Sequence, residues 1–426
     1  MSTWGTCGLL DAIRVCFCQN TSEHGGEAGV RGSRGTFVAL NPSEIQSLQL
    51  PPQTTATLYE GCCPEAWLEG RVQDILESNP WVAGVLKTNP KDGKLALWFP
   101  DQPNWTKHFQ VIKVEDAPSL LRTSLDFTVK VGSEVANTAQ PLCQITAITE
   151  PTRQRWILQM SMSHAVADSH TFYAIHGMLD ARSDVCPMEF ERVEFNPLTC
   201  LKAPLHWKWL FFSCCRLLWL LNPWPKRNEK PVIELRYVKE AWLQRWKSQH
   251  DPDLDAPHVS ANDLLASWFF SVTQPACGFI PINMRDRMPG LGVQHAGLYT
   301  TMLIFYPEEY KRAANIRRAV TRLCPACMPD ASRQAPGPGS CCGAVTAWHM
   351  FYRDVNLPGC KQLSHFPVTS VWKDYPAMRC PFALIFRPEA DRSAMCTVTG
   401  AKLPEDPEGP LGDLLGHAGL EVLDLW

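Results

Sequence analysis

A histidine and an aspartate four residues apart, His164 and Asp168, carry the strongest chemical signal in this 426-residue chain. A hydroxyl or an amine is a poor nucleophile while it keeps its proton. A neutral imidazole, with an unperturbed pKa near ~6.5, removes that proton at physiological pH. The pair therefore suggests base-assisted transfer of an acyl group to such an acceptor. Both residues lie in Ser163-His164-Ala165-Val166-Ala167-Asp168, between two differently patterned segments. Before it, Trp156, Leu158, Met160 and Met162 occupy every second position, as a half-buried strand requires. After it, Phe172, Ile175, His176 and Leu179 recur at steps of three and four, the spacing of an amphipathic helix. This places His164 at a strand-to-helix turn, where a side chain at the end of a sheet can meet a substrate. The spacing alone also fits a helix-facing His-Asp pair, because a chain with twelve histidines contains such intervals by chance.

The elements that must position the turn belong to a large globular chain. With 426 residues, 45% of them hydrophobic, it can bury an extensive core and divides into two or three domains. A net charge of −3 offers no basic field, so nucleic acid is excluded as a partner. No Gly-x-Ser-x-Gly elbow and no phosphate-binding glycine loop points to hydrolase or kinase chemistry. The start, Met1 to Cys7, lacks the basic region and apolar run of a signal peptide, so the eighteen cysteines read as free thiols of a reducing, cytoplasmic setting. Cys324 and Cys327 followed by Cys341 and Cys342 have the residue types of a zinc site. Adjacent cysteines make poor tetrahedral partners, however, and no metal is expected.

Residues 1–35, glycine-rich and weakly patterned, read as a poorly ordered tail. The apolar stretch 207–221 is too short for a membrane span of ~20 apolar residues, and Arg216 interrupts it. It reads either as a crossover packed between two halves or as an interfacial segment in peripheral contact with a membrane. Val232 to Val238 reads as a strand, the Trp242 to Trp246 region as a helix, and 328–343 as a loop rich in proline and glycine.

Several segments, in order, resemble the acyltransferase superfamily of BAHD and chloramphenicol acetyltransferase type, whose members carry His-x-x-x-Asp-Gly in mid-chain. Upstream, Asn79-Pro80-Trp81-Val82-Ala83-Gly84-Val85-Leu86 is similar to the family's Pro-x-x-Ala-Gly-Arg-Leu segment, after an early helix holding Trp67, Val72, Ile75 and Leu76. Downstream, Ser260-Ala261-Asn262-Asp263 resembles the helix start that opens the second half. Ile282-Asn283-Met284-Arg285-Asp286-Arg287 resembles the Val-Asn-x-Arg-x-Arg strand end, and Ala296-Gly297-Leu298-Tyr299 the Gly-Asn turn. Val368-Thr369-Ser370-Val371-Trp372 is similar to the Thr-Ser-Trp strand. The departures are Ser169 for the glycine after the aspartate, Val85 for arginine, Leu298 for asparagine, and Val371 within Thr-Ser-Trp. The plant Asp-Phe-Gly-Trp-Gly signature is absent, and Ser163 stands where condensation domains carry a second histidine. The resemblance is thus to a divergent branch.

The resemblance implies an α/β fold of two lobes, each a mixed sheet with helices: 36–200 with the His-x-x-x-Asp motif, a 201–235 crossover, and 236–426. It implies an acyl-CoA-dependent acyltransferase in which His164 is the base and Asp168 pairs with an arginine, either Arg285 or Arg287. Thr369 or Ser370 would stabilise the oxyanion, and Trp372 would line a tunnel between the lobes. Ser260 and Asn262, at a helix start whose exposed amides suit an anion, would contact the donor, although a plain N-cap explains them equally. No bound cofactor is expected, since acyl-CoA enters as the donor substrate, and a monomer acting on a small-molecule acceptor is the expected form. The departures leave two further readings open: a catalytically weak relative that binds an acyl ligand or a protein, and a lipid acyltransferase at a membrane surface.

Overall fold

Alternation along the strand Phe382–Glu389 divides the interior into two packed regions. Leu384 and Phe386 join one buried cluster, while Ala383 and Ile385 join the other. The neighbouring strand Arg392–Thr399 repeats the split, with Ala394, Cys396 and Val398 on the first side and Met395 on the second. Successive side chains of a strand point to opposite faces, so this sheet is covered on both. The computed structural model describes residues 34–115, 125–150, 154–196, 231–250, 256–323, 341–368, 380–417 and 420–421.

The sheet runs in the order Thr300–Phe305, Cys277–Asn283, Cys342–Ala347, Phe382–Glu389, Arg392–Thr399, Val232–Val238, Leu411–Leu414. Cys342–Ala347 is parallel to both of its neighbours, and the other pairs are antiparallel. Helices Glu240–Ser248, Ala261–Thr273 and Ala313–Arg322 cover one face through Trp242, Leu243, Leu265, Phe269, Phe270 and Ile316. The other face shares its cluster with a five-stranded sheet ordered Lys361–Pro367, Gln53–Glu60, Arg155–Met162, Cys143–Glu150, Phe109–Lys113. Helices Glu65–Ser78, through Leu68, Val72, Ile75 and Leu76, and Ser169–Gly177, through Phe172 and Ile175, complete that cluster. A three-stranded antiparallel sheet, Gly35–Ala39, Leu95–Pro100 and Val85–Thr88, lies outside both larger sheets.

Three details differ from what the sequence alone suggests. Arg155–Met162 is buried on both faces, because it is the middle strand of its sheet. Its polar face is met largely from within, since Gln159 Nε2 donates to Phe127 O at 3.0 Å and Ser161 Oγ accepts from Val129 N at 3.0 Å, while Gln159 Oε1 has no partner among the described residues. The segment read as a 328–343 loop ends sooner, since Cys342 already pairs in parallel with Cys277. Finally, Lys361–Pro367 comes from the C-terminal half of the chain yet pairs antiparallel with Gln53–Glu60, placing His365 opposite Thr57. Sheet membership therefore does not follow the halves of the sequence.

Candidate active site

The strand Arg155–Met162 ends at a tight turn that its own side chains close. Ser163 Oγ accepts from Ala165 N at 3.2 Å, and Ser163 O accepts from Val166 N at the same distance. Asp168 then caps the helix Ser169–Gly177, its Oδ1 accepting Thr171 N at 3.0 Å, as an N-terminal amide left without a helical partner requires. The glycine usual at position 169 is not needed here. Ser169 is not among the residues with positive φ, so a side chain costs the backbone nothing.

The second oxygen of Asp168 faces away from the helix and accepts Arg285 Nη1 at 2.6 Å and Tyr299 N at 3.0 Å. Arg285, 4% exposed, sits in the turn after the strand Cys277–Asn283 and spends its fork fully. Nη1 also reaches Asn283 Oδ1, Nη2 reaches Thr171 Oγ1 and Gly297 O, and Nε reaches His295 O, at 2.9 to 3.1 Å. Arg287, the other arginine of the motif, turns instead to Val320 O at 2.9 Å. Burial alone would raise the Asp168 carboxyl. The Arg285 charge, with the Thr171 and Tyr299 amides, outweighs burial and holds it below the usual carboxylate range. A buried, charged aspartate thus ties the His164 turn to the strand end across the fold.

His164 is partly buried, and burial lowers its pKa to about 4, against the opposing pull of the Asp168 charge and the Ala167 carbonyl. It is neutral at physiological pH, the state a base requires. Gln53, the first residue of the neighbouring strand, approaches the ring: its Nε2 donates to Ala167 O at 2.9 Å and lies 3.3 Å from His164 Nδ1.

Sequence reasoning missed Gln53, and it missed a second buried ion pair on the far side of the Gly297 turn. Arg192 Nε donates to Glu44 Oε2 at 3.1 Å, and Glu44 Oε1 accepts Leu298 N at 3.3 Å. Ser43 Oγ donates to Leu298 O and Arg192 Nη1 to Ala296 O, so the turn is held from both sides. Gly297 has φ +135°, and a Cβ there would stand 3.2 Å from the Arg192 guanidinium carbon and from Glu44 Oε1. Of the Gly-Asn pair the resemblance implies, the glycine is thus set by backbone and space, while Leu298 buries an apolar side chain in the position of the asparagine.

The remaining candidates lie apart from this cluster or outside the described residues. Ser260 caps Ala261–Thr273 in a reciprocal box with Asp263, whose carboxylate also binds Arg317 Nε at 2.7 Å. The positive end of that helix is therefore already met by the chain's own acid. Asn262 Oδ1 has no hydrogen-bond partner among the described residues. Thr369, Ser370, Trp372, Cys324, Cys327, the 207–221 stretch and the tail up to residue 33 fall outside the described residues. Val368, the last residue before Thr369, donates its N–H to Thr54 O at 2.9 Å, next to Gln53. Cys341 is half-buried, and Cys342 Sγ lies 3.4 Å from Cys277 Sγ inside the sheet. Among the described residues no group of three or more His, Cys, Asp or Glu is placed to hold a metal ion, and no helix is long and apolar enough to cross a membrane.

Two further histidines, His176 and His365, face each other beneath the turn with ring centroids 5.1 Å apart. His365 bonds Thr57 Oγ1 at 2.9 Å and the Tyr173 hydroxyl at 3.0 Å. Burial lowers His176 to about 4, and burial together with His176 holds His365 well below its ordinary value. Folded, these rings and His164 are neutral; unfolded, each takes up a proton near its ordinary 6.5. Stability is therefore full above that value and is lost as the pH falls from about 6.5 toward about 4, with the Asp168 pair yielding only below that window. Thermal unfolding followed from about pH 7.5 to about pH 5 should show the midpoint dropping below pH ~6.5. A flat midpoint across that range would mean that the three rings are not buried neutral.

No family model matches this sequence, and no curated protein matches it. Solved structures do. TRI101 of F. sporotrichioides, crystallised with coenzyme A and T-2, superposes with a TM-score of 0.55 at 16% identity, over 85% of this chain and 95% of its own. Vinorine synthase gives 0.53 at 11% identity, over 86% of this chain and 94% of its own. The condensation domain of the monacolin K polyketide synthase MokA gives 0.54 at 10%, over 85% and 92%. With a large mixed sheet covered by helices, a second sheet ending at the His164 turn, and this likeness over nearly the whole of each neighbour, the chain carries the two-lobed, chloramphenicol-acetyltransferase-like α/β fold that these structures share.

Proposed function

We propose that this protein transfers an acyl group from acyl-CoA directly to a hydroxyl or amine acceptor, with His164 as the general base. The observation that carries this reading is a neutral histidine at the end of a sheet, on a turn pinned by the buried Asp168–Arg285 pair. The thiolate of coenzyme A is a fair leaving group, so the reaction needs no covalent enzyme intermediate once both substrates are held together. His164 takes the acceptor's proton as the acceptor attacks the thioester carbonyl. The proton then passes to the departing sulfur. Asp168 and Arg285 act as positioning residues, since the Asp168 carboxylate is spent on Arg285, Thr171 and Tyr299.

Thr369 or Ser370 supplies a hydroxyl to the oxyanion in this reading, a contribution of about 3 kcal/mol for one such donor, and Trp372 lines the tunnel between the lobes. TRI101 of F. graminearum, another similar structure, is crystallised with coenzyme A and deoxynivalenol, which supports a thioester donor and a small-molecule acceptor here. The closed arginine fork and the negative φ region at Ser169 favour a working turn over a degenerate one. The test is a screen of acyl-CoA donors against pooled metabolite acceptors, with product mass and released coenzyme A measured together. Acylated acceptor and free coenzyme A in equal amounts are expected. Coenzyme A binding with no product from any donor would favour an acyl-ligand-binding role.

A further inference from the structure

Two cysteines open neighbouring strands of the large sheet in register. Cys277 begins Cys277–Asn283, Cys342 begins Cys342–Ala347, and the two are paired in the parallel ladder although 65 positions apart in sequence. Neighbouring strands stand about 4.8 Å apart, inside the range of roughly 4.4 to 6.8 Å that the Cα atoms of a disulfide span. Paired residues send their side chains to the same face, and here the sulfurs already meet at 3.4 Å. Both residues are closed off, 2% and 1% exposed, and with Phe279 and Ala344 they form a small cluster separate from both main packed regions. A bond between them therefore repacks neither region. The thiols around them are not equivalent. Burial pushes Cys380 up to about 12 and also raises half-buried Cys341. Cys342 is lowered instead, because the hydrogen bond from Cys277 to its sulfur outweighs burial. Since the thiolate is the reactive form, Cys342 is the sulfur that reacts first and Cys277 is its resolving partner.

We propose that Cys277 and Cys342 are an oxidation site, forming a reversible disulfide across two parallel strands when the protein meets hydrogen peroxide. The Cys342 thiolate attacks one oxygen of the peroxide, the O–O bond breaks, and the second oxygen leaves as water with the thiol's proton. Cys342 is then a sulfenic acid. The Cys277 sulfur displaces its hydroxyl group, which leaves as a second water carrying the Cys277 proton. Two thiols lose two electrons and two protons, and one peroxide takes them all. A dithiol reductant reverses the bond by thiol–disulfide exchange. The site lies at the far end of the strand from Arg285, roughly 20 Å along it, so the bridge staples the sheet without touching the His164 turn. Nothing in this chemistry depends on transferase turnover.

The experiment is peptide mapping of the folded, full-length chain after hydrogen peroxide, with the peroxide removed before the protein is unfolded in a maleimide and cut with trypsin. Cleavage after Lys247 and Arg285 leaves Cys277 as the sole cysteine of its peptide, and cleavage after Arg333 and Arg353 leaves Cys341 and Cys342 together. The two peptides should be recovered joined, lighter by two hydrogens than their sum, with the maleimide on Cys341. Dithiothreitol added before the maleimide should separate them. Cys341→Ser should keep the link, and Cys342→Ser should lose it. Recovery of Cys277 and Cys342 as maleimide adducts while the exposed Cys62 and Cys186 are oxidised would overturn the proposal. So would Cys342 recovered as a sulfinic acid with no link, or Cys277 joined to Cys341. Should Cys342→Ser fail to fold, the wild-type map and Cys341→Ser still decide, because fragmentation of the joined peptides reads which of the two adjacent cysteines carries the bond.

Discussion

Asp168→Asn should lose activity and stability together. Three donors converge on the two oxygens of this carboxylate: Thr171 N on Oδ1, and Arg285 Nη1 and Tyr299 N on Oδ2. An asparagine fills the same volume but offers one acceptor. Whichever way its amide turns, an NH2 group confronts a buried N–H, and the Arg285 charge loses its counterion at a site 4% exposed. Breaking a buried ion pair from one side costs about 3 to 5 kcal/mol, because the surviving charge stays buried and unpaired. Turnover should fall in the same variant, since the turn that aims His164 is tied down through this pair. The check is thermal unfolding alongside steady-state rates. A variant with reduced activity and an unchanged melting temperature would instead assign Asp168 a direct part in proton transfer.

The change of period on either side of residue 164, from two to three-and-four, made the turn legible in the sequence, and the helix that follows runs Ser169–Gly177. Leu179, also in that pattern, is fully buried just past the helix end. The arginine was narrowed to two candidates and no further. Arg285 and Arg287 differ in direction only because the chain turns sharply between them, with Asp286 at φ 59°, and no periodicity reports such a turn. Gln53 was invisible for a different reason. It meets His164 across 111 residues of sequence through strand register, which no local pattern encodes. The same holds for Glu44 with Arg192, 148 residues apart, and for Lys361–Pro367, whose sheet partner lies some three hundred residues upstream in Gln53–Glu60. The middle strand misled in a third way. Its polar Gln159 and Ser161 suggested a wet face, but Phe127 O accepts from Gln159 Nε2 and Val129 N donates to Ser161 Oγ, so both are engaged from within the fold.

The larger effect on rate belongs to His164→Ala. The ring is neutral and stands at the end of the sheet, and the bonds that hold the turn are made by Ser163, Asp168 and Arg285. Its removal takes away a base and leaves those ties in place. Loss of a single general base lowers the rate by roughly 100- to 10,000-fold. The departure of one titrating ring should also shift the acid stability described above slightly toward lower pH, because one fewer buried neutral imidazole opposes folding there. The direct measurement takes the donor and acceptor pair identified by product mass. It compares turnover of folded His164→Ala with wild type while coenzyme A release and melting temperature are followed in the same samples. The account predicts turnover lower by at least about 100-fold with an undiminished melting temperature at neutral pH. Wild-type turnover in the folded alanine variant would contradict it.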